Sequence, residues 1–92
     1  MAGTMEGHSV ISPEVLARYA VDAAAEVPGV HPTKRGAARV TGDEVEVKLV
    51  VDYGAAIPVV AAEVQRHVRD YLHRMAGVTT STVDVIVDDV SR

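Results

Sequence analysis

The feature that most constrains this chain is an amphipathic stretch at residues 57–77, which predicts one long helix. At about 100° per residue, its apolar side chains fall within an arc of roughly 120° and its polar side chains fill the remainder. Pro58 suits the first turn, and Gly77 suits the position just past the helix end. Such a helix needs a partner surface for its apolar arc. The arc consists of Val60, Ala61, Val64, Val68, Tyr71, Leu72 and Met75.

A second helix is predicted from Pro13 to about Glu26. Ser12 can cap the first free N–H groups, Pro13 fits the first helical position, and Glu14 complements the positive end of the helix dipole. Its alanine-rich face permits close approach to a sheet or to another helix, and it packs either in the core alone or in the core and a subunit contact. This face consists of Leu16, Ala17, Ala20, Ala23, Ala24 and Val27.

Three strands are predicted from alternating patterns. Residues 37–41 and 44–53 flank Gly42-Asp43, a pair that suits a two-residue hairpin turn of type II′. In the second arm, Val45, Val47, Leu49 and Val51 point to one side, which predicts a buried face. After the long helix, Val83, Val85 and Val87 alternate with Asp84, Ile86 and Asp88, and Asp89 breaks the pattern.

These elements predict an α+β fold in the order helix-strand-strand-helix-strand, with a three-stranded sheet and two helices packed on one face. The third strand lies beside either the first or the second. Residues 1–10 are predicted to be a flexible lead-in, and residues 11–90 a single domain. The opposite sheet face is acidic but interrupted by Val50 and Ile86. Its acidic residues are Glu44, Glu46, Asp52, Asp84 and Asp88.

The composition narrows the location and the partners. The 92 residues carry a formal net charge of −4, which weighs against nucleic acid and anionic lipid as partners. There is no cysteine, which fits a reducing compartment. No apolar run approaches the roughly 20 residues of a membrane span, and the N-terminus has no signal pattern. We therefore expect a cytoplasmic protein without direct membrane insertion.

No pattern in the sequence predicts catalysis. His67 and His73 lie about 120° apart around one helix, and no zinc-binding spacing is present, so we expect no metal site. The serines have no nucleophile context, and no phosphate-binding loop occurs, so we expect a non-enzymatic protein without a cofactor. The charged face of the long helix is either simply solvated or a docking surface that uses Arg66, Arg69 and His73.

Several short stretches in one order and spacing resemble the alkaline-shock-protein family of envelope stress response proteins from Gram-positive bacteria. They are residues 11–16 (ISPEVL), 27–30 (VPGV), 51–54 (VDYG), 57–61 (IPVVA) with Gln65, 77–78 (GV) and 83–87 (VDVIV). The resemblance extends over about residues 9–90. It implies a non-enzymatic cytoplasmic protein in cell-envelope homeostasis that self-associates. It also implies a location peripheral to the membrane, since some relatives are held there by a small integral-membrane anchor protein.

A short domain gains stability by association, so we predict a homo-oligomer built through a strand edge or the outer sheet face. Val50 and Ile86 are the predicted self-association residues, because they are apolar on an otherwise acidic face.

The alternative function is a KH-like nucleic-acid-binding module, because the order of elements resembles a type II KH domain that lacks one helix. That module needs a Gly-x-x-Gly loop, which this sequence does not contain. The acidic net charge and the low aromatic content also weigh against it. A small-ligand carrier is a third class, and no polar cluster in the sequence favours it.

Overall fold

The computed structural model describes residues 11–31 and 36–91 and confirms the α+β fold. Its elements are α1 (Pro13–Ala25), β1 (Ala37–Thr41), β2 (Glu44–Asp52), α2 (Ile57–Ala76) and β3 (Thr82–Ser91). The Oγ atom of Ser12 accepts a hydrogen bond from the Val15 N–H at 3.2 Å, so the predicted N-cap of α1 is confirmed. The predicted flexible lead-in at residues 1–10 lies outside the described residues.

The sheet has the order β1-β2-β3, with β2 in the centre. β1 and β2 are antiparallel and joined by the predicted two-residue turn, in which Gly42 has a φ of 61°. β3 pairs in parallel with β2, which resolves the position left open by the sequence. α2 makes this possible, because 20 helical residues span about 30 Å and return the chain to the start of a strand of similar length.

A β-bulge interrupts the pairing of β2 with β3. Leu49 pairs with Val87, and the next residue, Val50, pairs with Asp89, so Asp88 is an additional residue on β3. The bulge explains why the alternation breaks at this point of the sequence. The strand nevertheless continues to Ser91, past the residue at which the alternation breaks. An unpaired residue shifts the phase of the alternation without ending the backbone pairing.

Both helices cover the same face of the sheet and form the core with it. β2 contributes its odd-numbered positions, as predicted, and Gln65 fastens α2 to β3 by donating from Nε2 to the Val83 carbonyl at 3.0 Å. The small side chains of α1 let this helix lie close to its neighbours. The buried residues are Leu16, Ala20, Ala23, Ala24, Val27, Val30, Val45, Val47, Leu49, Val51, Val60, Val64, Val68, Leu72 and Val83.

Met75 does not belong to the core, although the helical pattern placed it in the apolar arc of α2. Its side chain is 54% exposed, and Leu72 is the last buried residue of the helix. Gly77 adopts a left-handed conformation with φ of 66° and turns the chain, as predicted. Val78 then packs against the core, so the chain beyond the helix supplies the apolar contact that was expected from Met75.

Side chains also join the two helices directly. His67 of α2 lies 2.8 Å (Nε2 to Oε1) from Glu26, the residue that ends α1. Tyr19 and Tyr71 meet edge to face, with ring centroids 6.1 Å apart. Glu63 lies one helical turn before His67 on the same side of α2, but the His67 side chain turns towards α1.

Candidate functional site

The predicted docking residues line one groove on the surface of α2. Arg66, Arg69 and His73 recur at helical spacings of three and four, so they lie on one side of the helix. Residues 78–80 run alongside this surface and close a groove of about 600 Å³, which we call the α2 groove. Its lining also includes Arg74 and Thr80. The structure therefore brings together all three residues of the predicted docking surface, and their role in docking stays a prediction.

The arginines of the α2 groove differ in how well they are neutralised. Arg66 lies 2.5 Å from Glu63 (Nη2 to Oε1) and 3.8 Å from Asp70 (Nη1 to Oδ2). The hydrogen bond and the charge of Glu63 raise the pKa of the Arg66 guanidinium above its ordinary value. By contrast, the side chains of Arg69, His73 and Arg74 make no hydrogen bond and no ion pair to any described residue. The unneutralised charge of the groove therefore lies mainly at Arg69 and Arg74.

Thr80 is a groove residue that sequence reasoning missed. Its side chain is only 6% exposed, and its Oγ1 atom has no hydrogen-bond partner among the described residues. The next residue, Ser81, is fixed by its N–H, which donates to the Asp43 carbonyl at 2.8 Å. No local signal could have identified Thr80, because its burial depends on how residues 78–80 fold back along α2.

The predicted self-association residues lie on the outer face, which we define as the side of the sheet turned away from the helices. Ile86 is 38% exposed and pairs with Lys48, while Val50 is half-buried and pairs with Asp89 beyond the bulge. Val50 lies two residues beyond Lys48 on β2, so the two apolar side chains are neighbours along the same face of adjacent strands. The charged residues of the outer face are Arg39, Glu44, Glu46, Lys48, Asp52, Asp84 and Asp89.

β3 forms one edge of the sheet, so its backbone is available to a further strand. Asp84, Asp88 and Asp89 lie on this strand, and the bulge at Asp88 distorts it. Charges and bulges on an edge strand oppose pairing with another copy. Of the routes to self-association that the sequence allowed, the outer face is therefore favoured over the β3 edge.

An exposed apolar surface at the start of α2 was not identified from the sequence. Ile57 is 39% exposed and Val59 is 62% exposed, whereas Val60 is buried. The helical period signals only the exposure of Val59, which lies opposite the apolar arc, whereas Ile57 falls at the centre of the arc and is exposed nevertheless. The first turn of α2 therefore exposes a small apolar patch.

These surfaces present charged and apolar side chains to solvent. No group of three or more histidine, cysteine or acidic side chains is arranged to hold a metal ion in the part of the chain that the structure describes. Neither described helix combines the length and the apolar character required to cross a bilayer.

Comparison with known proteins identifies the family. A model of the alkaline shock protein 23 family, described as having a cell envelope-related function, matches residues 38–92. No curated protein matches the chain. Among solved structures, a histidine-to-alanine variant of MamM-CTD has a TM-score of 0.53 at 22% identity, covering 85% of this chain and 98% of that chain. A triple variant of MamM-CTD has a TM-score of 0.51 at 23% identity, covering 83% and 93%.

The likeness to MamM-CTD concerns the fold alone, because the identities are low. The family match is of a different kind, since it includes β2, β3, the whole of α2 and most of β1. It confirms the resemblance found in the sequence. Because the match extends over more than half of its residues, the chain belongs to the alkaline shock protein 23 family, whose function is related to the cell envelope.

Proposed function

We propose that this protein is a non-enzymatic cytoplasmic scaffold of cell-envelope homeostasis that self-associates and docks a partner protein. The proposal rests on one observation, which is that a single small α+β domain has two separate surfaces suited to contact. One is the α2 groove with Arg66, Arg69 and His73, and the other is the outer face with Val50 and Ile86. A scaffold needs two such surfaces, because one must join its copies while the other holds the partner.

Self-association uses the outer face. Ile86 and Val50 form its apolar centre, and both helices lie on the opposite side of the sheet, so a second copy can approach without displacing either helix. A chain of 92 residues has a small core, and burial of further apolar surface between copies adds to its stability. We take residues 11–90 to form the single domain that self-associates.

Docking uses the α2 groove, which lies across the core from the outer face. A partner held there leaves the outer face available for contact between copies. The partner is a protein of the envelope, and a small integral-membrane anchor fits the family relationship. The scaffold itself is peripheral to the membrane and reaches it through that partner.

The proposal is tested by light scattering over a concentration series, at low and at moderate salt. We expect an oligomer that persists at moderate salt, because its contact is mainly apolar. Ile86→Ser removes an apolar side chain from the contact, and each buried isoleucine is worth about 1.5–3 kcal/mol. The dissociation constant is therefore expected to rise by at least about tenfold.

A matched control is Ile57→Ser, because Ile57 is 39% exposed and Ile86 is 38% exposed. The control is expected to leave the oligomer unchanged. A monomer at high micromolar concentration would contradict self-association. Dissociation by Ile57→Ser but not by Ile86→Ser would move the contact to the start of α2 and refute the assignment to the outer face.

A further inference from the structure

We infer that the α2 groove is a binding site for a short acidic peptide segment, of about four extended residues with two carboxylates. This inference rests on the proposed docking function and specifies the chemistry of the partner. Its basis is the presence of unneutralised cationic side chains in the groove of a chain whose formal net charge is −4.

Two of the arginines in the groove form no ion pair within the described structure and are therefore available to a ligand. Arg66 is already held by Glu63 and Asp70, so its guanidinium is partly satisfied. Arg69 and Arg74 have no such partner among the described residues, although Asp70 lies one helical turn before Arg74. A guanidinium binds a carboxylate through two parallel hydrogen bonds, so each free arginine can hold one carboxylate of a ligand.

The spacing of these arginines sets the length of the peptide. Arg69 and Arg74 are about 140° apart around α2, so they lie on opposite sides of the stripe formed by Arg66 and His73. The groove follows the helix from Arg66 to Arg74, a rise of about 12 Å. An extended peptide advances about 3.3 Å per residue, so about four residues fill this length.

A polar group that the fold leaves without a partner lies in the same groove. Thr80 is nine-tenths buried and lines the groove, and its hydroxyl finds no hydrogen-bond partner in residues 11–31 and 36–91. This hydroxyl is closed to solvent, so a ligand in the groove does not contact it directly. Thr80 therefore serves as a lining residue that reports on occupation of the groove, and the free arginines provide the charge for binding.

A peptide carboxylate fits this groove better than the phosphates of a nucleic acid. Nucleic-acid affinity comes from neutralising many phosphates, typically with about six to ten contacts, whereas the groove offers two free arginines, Arg69 and Arg74. Asp70 also lines the groove, and Glu46 and Asp84 face outward on the sheet, so a long polyanion is repelled. A segment with two carboxylates matches the available charge.

The test is a titration of the full chain with acetyl-Glu-Gln-Gln-Glu amide, a four-residue peptide with two carboxylates, in which calorimetry and backbone amide chemical shifts measure the binding. We expect shifts at Arg69, His73, Arg74 and Thr80, and no response to acetyl-tetraglutamine amide. The double variant Arg69→Gln with Arg74→Gln is expected to weaken binding by about tenfold or more. The matched control compares the single variants Arg69→Gln and Arg18→Gln, which remove one positive charge each, and Arg18→Gln, on the exposed side of α1, is expected to bind normally.

Six results would overturn the inference. The first four are equal loss of affinity in the matched variant, shifts that map away from the α2 groove, equal binding of inorganic phosphate, and tighter binding of single-stranded RNA. A fifth is dissociation of the oligomer by the peptide, which would assign the groove to the acidic outer face of a second copy. Failure of the peptide to bind, with an intact oligomer, would refute this inference and leave the scaffold proposal standing.

Discussion

Replacing Gly29 by alanine is expected to destabilise the fold because two separate requirements meet at this residue. Gly29 follows α1 and has a φ of 99°, a conformation that side chains rarely adopt. A Cβ atom added there would lie 2.6 Å from Cγ2 of Val60, which is buried at the start of α2. Its carbonyl also accepts a hydrogen bond from the Asp52 N–H at 2.8 Å, so the backbone has little freedom to move away.

The expected magnitude follows from these two terms. The left-handed backbone costs an alanine about 1–2 kcal/mol, and the reduced entropy of the unfolded chain offsets about 0.4–1 kcal/mol of this. Forcing a methyl group against Val60 adds about 1–3 kcal/mol, since a valine in a helix has essentially one favoured χ1 rotamer. We therefore expect Gly29→Ala to lower the free energy of unfolding by about 2–4 kcal/mol.

Two companion variants separate the terms. Gly54 has a φ of 86°, but a Cβ atom there meets nothing within 4 Å, so Gly54→Ala reports backbone strain alone. At Gly36 φ is not positive, but an added Cβ atom would lie 1.9 Å from the Lys48 carbonyl oxygen, so Gly36→Ala reports steric conflict alone. The measurement is urea unfolding monitored by far-ultraviolet circular dichroism. The free energies of unfolding are compared among variants that share the same m-value.

The reasoning is refuted if Gly29→Ala costs no more than Gly54→Ala. A stricter check uses Val60→Ala, which removes the γ-methyl groups. In that background the cost of Gly29→Ala should fall to that of Gly54→Ala, because only the backbone term remains. An unchanged cost would show that contact with Val60 contributes nothing.

Two further variants test polar groups in the described structure. Thr80→Val removes a buried hydroxyl without a partner, and we expect it to raise the free energy of unfolding by about 1 kcal/mol in urea denaturation; a loss of stability would show that the hydroxyl is satisfied. Glu26→Gln removes the carboxylate that faces His67 in a largely exposed pair, and we expect a loss below about 1 kcal/mol, with a larger loss contradicting the exposed geometry.

The helices were predictable because their signals are local. Ser12 and Pro13 start α1, and Gly77 ends α2, at the positions where the structure has them. Val64, Val68 and Leu72 are fully buried, as the 3.6-residue period requires. Met75 continues the same period but is exposed, because no sheet or helix in the described structure covers the last turn of α2 on that side. Periodicity identifies the apolar face of a helix but not how far its partner surface extends.

The candidate site was predictable only in part, for a related reason. Arg66, Arg69 and His73 share a helix, so their common face follows from the sequence. The groove itself depends on residues 78–80, which approach α2 only after Gly77 reverses the chain. Which partner a charged or titratable side chain finds also depends on its rotamer and on neighbours from other elements. His67 shows this, because it bonds Glu26 on the other helix and not Glu63 on its own.

The sequence by itself determined the helices and strands, which side of β2 is buried, and the family resemblance. Each of these rests on residue types at short spacings. Only the tertiary structure decided that β3 lies beside β2, that Asp88 is a bulge and that Thr80 is buried. Those features arise from contacts between residues that are distant along the chain. Their energies depend on which surfaces meet, and a local pattern carries no information about that choice.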